Sequence, residues 1–385
     1  MDGCSSIKRR RFGMKRKLKY WGILLCVLGI LAGCGQAAEK ESAKAPAPEV
    51  AEERVITDMA GREVQIKGDI QSAVAIGPGC LRLYSYAGDM SKIIGVEQLE
   101  KDKPYGRPYI LAYPELAEKD IIGPGGPNNA PDAEKILASA PDVIFTTYNS
   151  ETSAVEELQA KTGIPVVVLS YGKSAAFDPN MYDSLKCVGK VMGSNEKAEA
   201  AVAYMEACAE DLKERTSKID ADKRPKVYAG ALSMRGSHGI ESTQGGYALF
   251  KVTNVLNVAD ETDKKGPIMV DKEKLIEWNP EIIFVDYGGL EDVKKDMAAN
   301  PKYYETLSAF VKGDTYPLLP YNFYSTNIDT AMIDAYYIGQ IVYPEQFKDI
   351  NIEEKAAEIY TKLLGKNVYD KMKADFGPFE PLAFK

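Results

Sequence analysis

A chain of 385 residues with 45% apolar and 27% charged side chains has enough material for two ordinary globular cores. Its formal charge is −8, yet residues 1–33 carry eight Lys/Arg against Asp2, a net +7 that leaves −15 on residues 34–385. So acidic a body repels phosphate backbones, and nucleic acid is excluded as an expected partner.

The basic run ends at Lys19 and gives way to twelve mainly apolar residues, Trp21 to Ala32. That is too short to span a bilayer and suits the core of a signal peptide. Met1 and Met14 both open such a leader. Leu31-Ala32-Gly33-Cys34 resembles the lipobox of bacterial lipoproteins, which implies cleavage after residue 33 and diacylation of Cys34. Two acyl chains anchor a protein without a transmembrane helix. The expected location is the extracytoplasmic face of a bacterial membrane. Residues 34–53, rich in Ala, Pro, Glu and Lys, read as a flexible tether with a reach of roughly 25 Å. Cys80, Cys187 and Cys208 remain in the body, an odd number without a C-x-x-C pair, so neither a disulfide framework nor a zinc site is expected.

From residue 54 the pattern is α/β. Val55-Ile56-Thr57 and Val64-Gln65-Ile66 flank Ala60-Gly61-Arg62 as a hairpin. Ala73 to Ile76 is a buried strand ending in Gly77-Pro78-Gly79, with a helix from Leu81, and Ile93 to Val96 is a second strand. Residues 97–130 are rich in Gly, Pro and Tyr and lack a period, which marks a functional loop. A helix near 151–162 and a strand at 166–169 follow. Ser194 caps a helix whose apolar positions run to Ile219, about 38 Å at 1.5 Å per residue, long enough to bridge two lobes. Strands are expected at 226–229 and 315–319, helices near 247–256 and from Asn327 to Pro344, and mostly helix after that.

One phrase occurs twice. Ala133 to Ser150 and Lys272 to Gly289 each read as a short helix, a proline stop, an apolar strand and a turn bearing a tyrosine, at an offset of 139. Pro141 matches Pro280, and Tyr148 matches Tyr287. Ligands bind beyond the carboxyl ends of parallel strands, so both tyrosines are candidates for a cleft between two related lobes. The expected organisation is an N-terminal lobe (54–175), a helical linker with the long bridging helix (176–222) and a C-terminal lobe with its terminal helices (223–385). The fold class is two Rossmann-like α/β lobes with a ligand cleft between them.

Candidate ligand residues cluster on loops. Cys80 and Arg82 follow the Gly77-Pro78-Gly79 turn. Tyr105, Arg107 and Tyr109 lie in the irregular segment, Arg235, Ser237 and His238 in the first loop of the second lobe, and Tyr321, Asn322 and Tyr324 in a polar-aromatic collar. Arginines, tyrosines and helix N-termini together suit a large, partly anionic ligand. With His238 the only histidine and no G-x-S-x-G, a surface hydrolase built on Ser237 or His238 is the weaker reading, and a three-histidine metal site is impossible. A tyrosinate-bound ferric ion, or a haem held by Tyr or His238, stays open.

Residues 54–375 are similar to the lipoprotein substrate-binding subunits of ABC importers for iron-siderophore, haem and cobalamin-type chelates. The carriers are Val55 to Arg62, the A-P-D-V-I-F block at 140–145 and the N-P-E-I-I-F block at 279–284, with Gly106-Arg107-Pro108-Tyr109, Gly236-Ser237-His238-Gly239 and Tyr321-Asn322 marking a narrower subgroup. The resemblance implies a monomer that is not an enzyme and has no cofactor. It implies a metal-chelate ligand, first of all a ferric siderophore-like one, with haem or a corrinoid as alternatives and the identity of the metal open. It also implies docking on the permease through one acid per lobe. The first maps onto Glu134. The second family position falls on Leu256, so Glu261 is the nearest replacement, with Glu273 the less favoured alternative.

Overall fold

The computed structural model describes residues 53–102, 106–148, 152–234 and 236–384. The leader, the tether up to residue 52, and the candidates Cys34, Tyr105 and Arg235 lie outside these ranges. β1 (Glu53–Thr57) and β2 (Glu63–Lys67) form the antiparallel hairpin that the flanking pattern predicts. Its turn closes on Asp58, whose carboxylate accepts from the Ala60 and Arg62 amides at 3.0 Å and pairs with the Arg62 guanidinium at 2.8 Å.

The first sheet contains β3 (Ala73–Ile76), β4 (Ile93–Val96), β5 (Asp120–Ile121), β6 (Val143–Thr146) and β7 (Val166–Val168). Its order is β5-β4-β3-β6-β7, parallel throughout. Every residue of β3, β6 and β7 is buried, which is why these strands read as unbroken apolar runs rather than alternating ones.

The second lobe holds β8 (Lys226–Gly230), β9 (Ser242–Gly245), β10 (Leu256–Asn257), β11 (Gly266–Met269), β12 (Ile282–Asp286) and β13 (Thr315–Leu318). The main sheet is β10-β8-β12-β13, again parallel, while β9 and β11 pair separately and antiparallel. Setting β3, β4, β6 and β7 beside β8, β10, β12 and β13 gives the same strand order in both lobes. The repeated phrase is thus one segment of a repeated sheet. Even the helix stops correspond: Ala140 (φ 46) and Asn279 (φ 40), 139 residues apart, end their helices in the left-handed conformation.

Helices Pro179–Met192 and Asn195–Thr216 connect the lobes. The second is 22 residues long, about 33 Å. Near its start Lys197 donates to the Ser85 and Gly88 carbonyls of the first lobe. At its end the Thr216 carbonyl accepts from Asn254, and Arg215 pairs with Asp349 at 2.6 Å. Each end is therefore fastened to a different lobe. One continuous apolar core runs from the first lobe through this helix into Ile328–Val342 and Ile352–Leu364. A shared core of this kind permits small adjustments between lobes and resists wide opening.

Segment 97–130 is more regular than its sequence suggests. It contains helices at Gln98–Asp102 and Pro108–Ala112 and a 3₁₀ turn at Pro114–Glu118 before β5. Elements of five residues are too short to show a period. The chain end is packed, with the Leu382 amide donating to the Thr315 carbonyl at 2.8 Å and Phe384 lying 5.0 Å from Phe310.

Candidate functional site

In both sheets the strand order reverses beside the first strand, between β3 and β4 on one side and β6 on the other, and likewise around β8. Parallel sheets present ligand crevices at the carboxyl ends of such a reversal. In the first lobe those ends are Gly77-Pro78-Gly79 after β3, Glu97 after β4 and Thr147-Tyr148 after β6.

They converge on Glu97, which is 3% exposed. Its Oε2 accepts from the Gly77 amide at 3.0 Å and from the Tyr324 hydroxyl at 2.8 Å, and its Oε1 accepts from the Tyr148 hydroxyl at 3.1 Å. Tyr148 also donates to the Gly126 carbonyl at 2.8 Å, and the Gly126 amide donates to the Tyr324 oxygen at 2.8 Å. Burial, reinforced by Glu100, pushes the Glu97 carboxyl up to about 7 despite these donors. Burial and the adjacent Glu97 likewise raise both phenols. Glycine is required at 77, where φ is 92 and a Cβ would lie 2.8 Å from Thr147 Oγ1.

Tyr324 comes from the other lobe, and the collar that carries it is held by several ties. Arg82 donates to the Phe323 carbonyl at 2.7 Å, the Tyr324 carbonyl at 3.1 Å and the Tyr171 hydroxyl at 3.2 Å, and its guanidinium lies 4.8 Å from the Tyr109 ring centre. Asn327 donates to the Gly106 carbonyl at 2.7 Å. Tyr324 (φ 52) and Ser325 (φ 71) are consecutive left-handed residues, a strained turn of the kind found at ligand clamps. Asn322 accepts from Thr326 at 3.2 Å, and Tyr321 packs beside Tyr247 with ring centres 6.2 Å apart.

Of the arginines expected to offer charge to a ligand, Arg82 and Arg107 are fully buried. Arg82 ties the collar to the first lobe. Arg107 pairs with Glu100 at 2.5 Å, donates to the Leu99 carbonyl at 2.8 Å and lies 5.5 Å from the Phe323 ring centre. Tyr109 donates to the same Glu100 oxygen at 2.7 Å. Cys80 sits under the turn in the helix–sheet core, and burial raises its thiol. These side chains build the interface from within, because a buried guanidinium needs several acceptors and the strand ends and collar carbonyls supply them.

The two tyrosines of the repeat have different surroundings. Tyr148 faces Glu97, whereas Tyr287 donates to the Pro378 carbonyl at 2.8 Å under the C-terminal tail. Ser237 is exposed, and His238 directs Nε2 to the Met234 carbonyl at 2.9 Å. The second lobe instead buries three carboxyls that are not among the sequence candidates, Asp286, Asp329 and Asp334. Asp286, at the end of β12, accepts from the Gly288 amide at 2.6 Å, and Asp334 accepts from the Leu319 amide at 3.0 Å. Each keeps one oxygen without a hydrogen-bond partner. Burial pushes Asp286 up to about 8 and Asp334 well above the carboxylate range. Glu97 was passed over as well. The available signal for it and for Asp286 was an acid placed directly after an apolar strand.

Glu134 is exposed in the first turn of helix Ala133–Ser139. Glu261 is exposed too, with its carboxylate accepting from the Trp278 indole at 2.9 Å. Among the described residues no group of three or more His, Cys, Asp or Glu side chains could hold a metal ion, and no helix is long and apolar enough to cross a membrane.

The model of the periplasmic binding protein family matches residues 84–318, more than half of the chain. A molybdate-binding protein of Haemophilus influenzae is 25% identical over 331 residues, covering 80% of this chain and 90% of that protein. An iron-uptake system-binding protein of Bacillus subtilis is 29% identical over 196 residues, 47% of this chain and 56% of its own length. Among solved structures, a periplasmic solute-binding protein of Veillonella parvula superposes with a TM-score of 0.68 at 20% identity, covering 84% of this chain and 97% of that one. The two-lobed architecture is shared. With its duplicated sheets and a site made where the lobes meet, the chain belongs to the periplasmic binding protein family, the solute-binding subunits of ABC transporters, which are not enzymes.

Proposed function

We propose that this protein captures an iron-containing metal chelate outside the cytoplasmic membrane, while anchored through lipidated Cys34, and hands it to an ABC permease. The observation that carries the choice of cargo is the donor chemistry at the lobe junction: a carboxyl and two phenols, one phenol from each lobe, around Glu97. Hard oxygen donors suit hard cations. The resemblance to the iron-uptake protein of Bacillus subtilis supports the same reading. Molybdate is the second reading, favoured by the longer match to the Haemophilus influenzae protein.

A thermal-shift panel of ferric chelates, haem, corrinoids and molybdate separates them. Ferric chelates are expected to raise the melting temperature. A shift with molybdate alone would reassign the cargo to an oxyanion.

Glu134 is the proposed docking acid of the first lobe, with Glu261 its counterpart on the second. Exposed ion pairs contribute about 0–1 kcal/mol each, so these acids set register more than affinity. Glu134→Ala is expected to reduce uptake by cells severely while ligand affinity in vitro stays within about twofold of wild type. Loss of affinity would instead place Glu134 in the ligand site.

A further inference from the structure

We propose that Glu97, Tyr148 and Tyr324 form a ferric-ion site, so that the cargo is the ion itself, taken from a weak chelate, rather than an intact siderophore. This inference rests on the carrier reading above and narrows it to a cargo and three ligands.

The geometry comes first. Tyr324 Oη lies 2.8 Å from one Glu97 oxygen and Tyr148 Oη lies 3.1 Å from the other. Neighbouring donors around a six-coordinate ion with bonds of about 2.0–2.1 Å stand roughly 2.8–3.0 Å apart. Each phenol oxygen therefore already stands from its own Glu97 oxygen at about the spacing of neighbouring donors on one ion, with the carboxyl between the two phenols. An ion replaces the shared protons with little movement of the oxygens.

Charge selects the ion. One carboxylate and two phenolates sum to −3, which a trivalent cation cancels and a divalent one does not. Neutrality matters because Glu97 is buried and both phenols are half-buried, so a net charge there is costly. Binding balances as follows: the Glu97 carboxyl and two neutral phenols take up one ferric ion, the weak chelator leaves as its free anion, and two phenol protons, with the carboxyl proton where Glu97 carries one, go to solvent or to the released chelator, with no electron transfer. Such proton release is general when ligands must deprotonate. Without an ion the phenols stay protonated, and the ion's own charge reverses that preference.

The surroundings fit this role. The Gly77 amide donates to the Glu97 carboxylate and the Gly126 amide donates to the Tyr324 oxygen, fixing two ligands as outer-sphere donors do. Arg82 holds the Tyr324 backbone from the first lobe, and Glu100 lies on the far side, paired with Arg107. Because Tyr324 belongs to the second lobe, ion binding also fastens the lobes together. An intact hexadentate siderophore leaves no position on iron for three protein oxygens and holds the ion tightly, whereas a weak chelator can be displaced by them.

The test is a titration of the purified protein with ferric nitrilotriacetate, followed by visible absorbance. A phenolate-to-iron charge-transfer band that saturates at one ion per chain, with proton release in weakly buffered solution, is the expected result. Tyr148→Phe and Tyr324→Phe should each weaken binding by at least about tenfold, and the double variant should lose the band. Thermal unfolding of the variants checks that they remain folded. Colourless binding, or a band that survives in the double variant, overturns the proposal. Uptake of an intact ferric siderophore with its own spectrum unchanged also overturns it, while leaving the carrier reading in place. A thermal shift with molybdate alone overturns both.

Discussion

Glu100→Gln is expected to destabilise the protein by about 3–5 kcal/mol, the cost of removing one partner from a buried ion pair. Glu100 is 3% exposed and Arg107 fully buried, with 2.5 Å between their charged atoms. Burial raises the Glu100 carboxyl more than Arg107 lowers it, so the pair itself contributes little net stability. Its loss is costly because the buried guanidinium loses the carboxylate it pairs with at 2.5 Å. Glutamine preserves the shape and can still accept from Tyr109, which isolates the charge effect. Replacing both members, Glu100→Leu with Arg107→Met, should recover part of the loss, limited by the unpaired Leu99 carbonyl and Tyr109 hydroxyl. Urea unfolding of the two singles and the double forms the cycle. A single variant within 1 kcal/mol of wild type would mean that water reaches the pair.

The second large effect is on pH. Asp286 is held up at about 8 and Asp329 at about 6, both by burial. In the unfolded chain such groups release their protons near pH 4. Between about 4 and 8 the folded state therefore binds more protons than the unfolded state, and stability must fall as pH rises. The contribution is fully present below the unfolded value and lost as pH passes the folded values. Each unit of difference corresponds to about 1.4 kcal/mol, so Asp286 alone produces a loss of several kcal/mol across the window. The lowered carboxyls Asp142 and Asp178 act in the opposite sense, only at more acidic pH. The urea midpoint should be higher at pH 5 than at pH 8, and Asp286→Asn should reduce the difference, the remainder coming from Glu97, Asp329 and Asp334. A midpoint that rises with pH in the wild type would refute the assignment.

How much of this was legible in the sequence depended on period and repetition. β3, β6, β7 and β12 are continuous apolar runs bounded by Gly or Pro, and they could be read directly. The repeat gave the lobes, and the long apolar spacing gave the bridging helix. Ser-Thr-Gln-Gly in β9 and Gly-Pro-Ile-Met in β11 carry no alternation, so that two-stranded sheet was missed. The site was read less well, for a physical reason. Arg82, Arg107 and Tyr109 have the composition of a binding cleft, but Arg82 meets carbonyls 241 and 242 residues on, while Arg107 and Tyr109 share Glu100 within a segment that has no period to reveal the contact. Glu97, Asp286 and Asp334 are single acids whose importance comes from burial, and burial of one residue leaves no pattern. Tyr148 and Tyr287 match in sequence and diverge in space because the first meets the Glu97 carboxyl and the second the Pro378 carbonyl of the C-terminal tail.

The claim on which the account rests is that ligand is held where the collar meets the strand ends of the first lobe. Amide hydrogen exchange, with and without the compound that stabilises the protein in the thermal panel, tests it most directly. The account predicts slowed exchange at residues 77–82, 97–100, 126 and 321–327, with little change on the outer helices. Protection absent from these segments and concentrated elsewhere, for example around Phe310 and Phe384, would contradict it.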